Sequence, residues 1–117
     1  MDNRSKKLLF DVVLSGRSIR EWCVGRSYAE YENDRKLRRA VEREFEVIGE
    51  ALGPLRQNDP ETAARIDGLH RIVEFRNRII HGYDSIDDAT VWGVVEDRLP
   101  GLIAEVTTLL EDAGERV

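Results

Sequence analysis

The residues best suited to chemistry lie in one short stretch, Phe75-Arg76-Asn77-Arg78-Ile79-Ile80-His81-Gly82-Tyr83. Arg76 carries a permanent cation whose planar donor fork matches a phosphate. Asn77 adds an amide, and His81 can move protons near neutral pH. Together these are the groups that a metal-free ribonuclease needs. Arg65, Arg71 and Arg78 lie nearby and can supply a local positive field. Little other chemistry is visible. There is no Gly-rich phosphate loop and no zinc-type ligand spacing, and Cys23 is the single cysteine. Asp84, Asp87 and Asp88 read as acids at a helix start rather than as a divalent-metal loop. No metal or cofactor is expected.

The chain that must position these groups has 117 residues, enough for one domain spanning 1–117. At 41% hydrophobic and 35% charged it is neither a membrane protein nor a disordered one. No apolar run approaches the ~20 residues of a bilayer span. The first residues show no secretory signal, so the expected compartment is the cytoplasm. The net charge of −5 disfavours a nucleic-acid binder when taken alone. Its distribution changes that reading. Residues 1–83 hold 16 Lys+Arg against 14 Asp+Glu, and residues 84–117 hold 2 against 9. The acidic segment is best read as solvated helix faces.

Helical spacing dominates the sequence, and period-two alternation is absent. A first helix is expected over about 3–24, with Leu8, Val12, Ile19 and Cys23 as its stripe and Trp22 beside it. Gly16 on that stripe would admit a close neighbour, and Gly25 would cap the end. A second helix, capped by Asn33 or Asp34, should run to about Leu52, where Gly53-Pro54 stops it. Its apolar face is Leu37, Ala40, Val41, Phe45, Ile48, Ala51 and Leu52. Asp59-Pro60 opens a third stretch that Gly68 interrupts, leaving a longer piece over 69–81. Ser85-Ile86-Asp87-Asp88 has the form of a capping box for a last helix to about Asp112, bent at Pro100. The fold class predicted is all-α: an antiparallel bundle of four main helices, one of them interrupted.

On a helical wheel, Leu69, Ile72, Val73, Phe75, Ile79 and Ile80 fill one arc, and Arg76 falls inside it. An arginine there needs a partner, a ligand or a second chain. Glu44, among the apolar residues of the second helix, is the expected partner, and such a pair could be purely structural. Asn77 and His81 are four apart and share a face. A histidine in a last helical turn can also serve the macrodipole, which favours a cation there. His70 lacks such company and reads as solvated. Tyr83, after the presumed cap at Gly82, reads as exposed.

At these residues the chain resembles the HEPN-domain proteins, and among them the HepT toxin family. That family carries an Arg, then four to six residues of which the first is polar, then a His, followed by a Tyr two places later. Arg76, Asn77, His81 and Tyr83 match it. Arg39-Ala40-Val41, Val47-Ile48-Gly49-Glu50-Ala51, Val91-Trp92 and Asp97-Arg98-Leu99-Pro100 extend the similarity from the first helix to about Leu110. Position 44 departs from the family, which often carries Asn where this chain has Glu.

The resemblance implies an all-α homodimer with both motifs facing a shared cleft. It implies a metal-independent endoribonuclease acting as the toxin of a toxin–antitoxin pair, with RNA as substrate. The implied partner is a minimal nucleotidyltransferase antitoxin that transfers AMP to Tyr83. Arg76, Asn77 and His81 would be catalytic, Tyr83 the modified residue, and Glu44, Glu50 and Arg78 supporting groups. Two alternatives stay open: a HEPN-like binding module that holds a nucleotidyltransferase and cleaves nothing, and a structural helical dimer in which the motif is only packing.

Overall fold

The computed structural model describes residues 1–81 and 86–117. Every described element is a helix, as expected: α1 (Asn3–Cys23), α2 (Tyr28–Glu32), α3 (Arg35–Asn58), α4 (Pro60–Ala63), α5 (Leu69–His81), α6 (Asp88–Asp97) and α7 (Leu99–Asp112). Asp2 caps α1 by accepting from the Ser5 amide, and Asp34 caps α3 through the Leu37 amide.

α1 and α3 form the central pair. Buried Ser5 donates its hydroxyl to Asp59 Oδ2 at 2.8 Å, which ties the start of α1 to the end of α3 and makes the pair antiparallel. Asp59 also caps α4 through the Thr62 amide. Arg38 of α3 pairs with Asp88 at 3.7 Å, placing the start of α6 beside the start of α3. Between these anchors α5 runs back along α3, with Phe45 and Phe75 meeting edge to face. α7 packs on α1 at Gly16, where a Cβ would stand 2.8 Å from Ile103 Cγ1. The core is built on apolar side chains, among them Leu9, Val12, Ile19, Val41, Phe45, Ile48, Leu52, Phe75, Leu99 and Val106.

Three expectations are corrected. First, α3 does not stop at Gly53-Pro54 but continues to Asn58 with Pro54 inside it. Pro54 offers no amide to the carbonyl of Glu50, a cost that burial of Ala51, Leu52 and Leu55 outweighs. Second, the last helix is two helices. Leu99 and Pro100 begin α7 afresh, since a proline is at home in a first turn. Its first half is capped by Asp87, which accepts from the Thr90 amide at 2.7 Å; Ser85 of the expected capping box lies outside the described residues. Third, α2 was not expected. Ser27 and Glu30 form a reciprocal capping box that makes even one turn stable enough to seat Tyr31 in the core.

Candidate functional site

The site rests on the crossing of α3 and α5. Arg76 does fall inside the apolar arc of α5, between buried Ile72 and Leu69. Its stem lies flush on α3 because Gly49 has no side chain. A Cβ at Gly49 would overlap Cβ and Cγ of Arg76 and stand 3.0 Å from Cδ. The stem is thereby covered while the head reaches the surface, and the side chain as a whole is 26% exposed.

Two interactions and one unpaired donor describe the guanidinium. Nη1 donates to Asn77 Oδ1 at 3.0 Å, and Nη2 stands 3.5 Å from Glu50 Oε1. Nε is sealed from solvent with no hydrogen-bond partner among the described residues. The edge of the fork formed by Nε and Nη2 is therefore closed, and an anion can reach Arg76 only through the terminal Nη1 and Nη2 protons. Glu50 Oε1 is in turn 3.5 Å from Nη1 of Arg43, which pairs with Glu46 at 3.0 Å. Glu46 and then Glu50 hold the Arg43 guanidinium above the usual arginine range.

The partner expected for Arg76, Glu44, is not the one used. Glu44 and Gly49 are five residues apart, about 140° around α3, so Glu44 faces away from the strip that meets α5. Glu50, one residue past Gly49, takes its place. Asn77 and His81 are both exposed on one face of α5, as their spacing requires. No hydrogen bond or ion pair among the described residues joins His81 to Arg76. Within α5 they are separated by about 140° around the axis and about 7.5 Å along it. Arg78 is exposed, and its charge contributes to lowering the Asp87 carboxyl, after the larger effect of Thr90. Ile80 sits at the edge of the arc with 36% exposure rather than in the core. Tyr83 lies outside the described residues, as do Gly82, Asp84 and Ser85.

Sequence reasoning missed Arg43. Its signal was the seven-residue spacing to Glu50, two turns along one face of α3. No group of three or more His, Cys, Asp or Glu among the described residues could hold a metal ion. No helix among them is long and apolar enough to cross a membrane.

Comparison with known proteins bears directly on these residues. The family described as "Ribonuclease HepT-like" matches residues 15–109, a span that contains the α3–α5 crossing and the whole Arg76–Tyr83 stretch. The chain belongs to the HepT-like ribonuclease family. Among its relatives is a Methanocaldococcus jannaschii protein provisionally named an RNase. It is 31% identical over 101 residues, covering 86% of this chain and 92% of the relative. A second from the same organism, named in the same way, is 27% identical over 109 residues, covering 92% and 88%. A Thermococcus cleftensis protein named probable ribonuclease HepT is 27% identical over 105 residues, covering 87% and 92%. No solved structure matches the chain significantly. For a HepT-like chain these findings support a ribonuclease, and they leave the assignment of each side chain to the geometry.

Proposed function

We propose that the chain is a metal-independent endoribonuclease, the toxin of a toxin–antitoxin pair, with 1–117 forming one HEPN-like domain in the cytoplasm. The observation that carries this reading is the guanidinium of Arg76, held at the surface by Gly49, Glu50 and Asn77 on the helix that ends in exposed His81. A buried stem with a surface head suits a phosphate clamp.

In the proposed reaction a backbone phosphate engages the terminal amines of Arg76, and the Asn77 amide donates to a non-bridging oxygen. The ribose 2′-oxygen attacks phosphorus as its proton passes to a His81 imidazole acting as base. The bond from phosphorus to the 5′-oxygen breaks, and that oxygen takes a proton from an imidazolium acting as acid. A 2′,3′-cyclic phosphate and a 5′-hydroxyl result. Arg76 stabilises the charge that grows on the phosphorane oxygens. DNA lacks the attacking hydroxyl and is spared. In this reading the chain forms a homodimer whose two His81 imidazoles divide acid and base between them.

The proposed partner is a minimal nucleotidyltransferase that transfers AMP to Tyr83. The added phosphate would repel RNA and could occupy Arg76. A second reading, a binding module without cleavage, draws support from the Arg76–Glu50 pair, which partly neutralises the phosphate site. Purified wild type and His81→Ala incubated with RNA separate the two readings. Cleavage by the wild type that falls about 10²–10⁴-fold in the variant supports the nuclease, and RNA left intact by both proteins supports the binding module.

A further inference from the structure

The head of Arg76 is steered by a carboxylate that a second arginine holds in place. Glu50 Oε1 lies 3.5 Å from Arg76 Nη2 and the same 3.5 Å from Arg43 Nη1. Arg43 is itself fixed by Glu46 at 3.0 Å. Glu46, Arg43 and Glu50 are on the outer face of α3, and Arg76 comes from α5, so the chain of charges crosses between helices and ends on the guanidinium.

Without Glu50, only Asn77 among the described residues would orient that guanidinium, because Nε has no partner among them to stop rotation about the last bonds of the side chain. Gly49 fixes the stem but not the head. The Arg76–Glu50 contact is long, at 3.5 Å, and Glu50 is 43% exposed, so its direct contribution to stability is small and the interaction is better explained by orientation than by folding. We infer that Glu50, braced by Arg43, is a positioning residue that aims the terminal edge of Arg76 at the scissile phosphate. The inference rests on the nuclease reading above and gives one of its supporting residues a specific task. Glu50 touches no reacting atom. Its carboxylate costs some phosphate affinity in the ground state and gains rate by holding the donor fork where charge develops.

The distinction is measurable. Steady-state cleavage of an RNA oligonucleotide is compared for wild type, Glu50→Gln, Glu50→Asp and His81→Ala, alongside binding of the same oligonucleotide with 2′-O-methyl groups, which cannot be cleaved. Glu50→Gln should lower kcat about tenfold while the 2′-O-methyl RNA binds as tightly as before or tighter, because a negative charge has gone. Glu50→Asp keeps the charge but withdraws it by one methylene, and should also lose rate. A kcat for Glu50→Gln within about twofold of wild type, or above it, overturns the positioning role. So does a loss of rate matched by weaker RNA binding and a lower melting temperature, which would make Glu50 a folding residue. His81→Ala separates the two levels. If it cleaves as wild type does, the nuclease reading fails and this inference with it. If it is inactive while Glu50→Gln is unaffected, only the inference fails.

Discussion

Gly49 lies directly beneath the stem of Arg76, and no side chain larger than hydrogen fits between α3 and α5 at that point. The atoms in the way are Cβ and Cγ, close to the α5 backbone, so they cannot swing aside as a side-chain tip would. Gly49→Ala must push the helices apart or tilt Arg76. It should destabilise the protein by about 1–3 kcal/mol in chemical denaturation. An unchanged or raised stability would show that the crossing is looser than described.

Arg76 should not be replaceable by lysine. An ammonium cannot donate to Asn77, Glu50 and a phosphate in one plane. Arg76→Ala should reduce cleavage by about 10²–10³-fold, and Arg76→Lys should recover only a small part of that loss. Full recovery would mean that any positive charge suffices at this point.

Glu42 offers a pH-dependent test of the fold. Burial raises its pKa, and the Arg39 charge offsets this only in part. A carboxyl whose folded pKa is raised binds its proton more readily in the native state. Its ionisation therefore costs stability above the folded pKa, and the cost disappears as pH falls to the unfolded carboxylate range. Glu42→Gln should stabilise the protein near pH 7 and lose that advantage below about pH 4.5, the ordinary glutamate value. Melting curves at the two pH values check it. A destabilised variant at pH 7 would show that the pair with Arg39 dominates instead.

Tyr31 is fully buried against Trp92, and its hydroxyl has no hydrogen-bond partner among the described residues. An unpaired buried hydroxyl is unfavourable, so Tyr31→Phe should be neutral or stabilising by up to about 1 kcal/mol. A loss of more than about 1 kcal/mol would reveal a partner for that hydroxyl, such as a buried water.

Most of the scaffold was legible because it depends on local patterns. The stripes of α1, α3 and α5 follow helical spacing, and Gly16 and Asp59 behave as their positions suggested. The failures have a common origin in tertiary context. Pro54 should end a helix by its own chemistry, but the apolar residues around it continue the buried face and override it. The partner of Arg76 was misassigned to Glu44 because apolar neighbours in sequence do not reveal which strip of α3 meets α5. Gly49 marks that strip, and an acid one residue later is the one that can reach. Arg43 was overlooked because its importance comes only through Glu50, across a helix crossing that no single-helix pattern encodes.

The central claim is that one guanidinium and an imidazole, without a metal ion, cleave RNA through its own 2′-hydroxyl. The most direct test is the cleavage of a defined RNA by wild type and His81→Ala in excess chelator, with the new termini identified chemically. The proposed mechanism predicts undiminished wild-type cleavage, 2′,3′-cyclic phosphate and 5′-hydroxyl ends, no cut at a 2′-deoxy position, and near-complete loss in the variant. A requirement for added magnesium, or cleavage that survives His81→Ala, would contradict it.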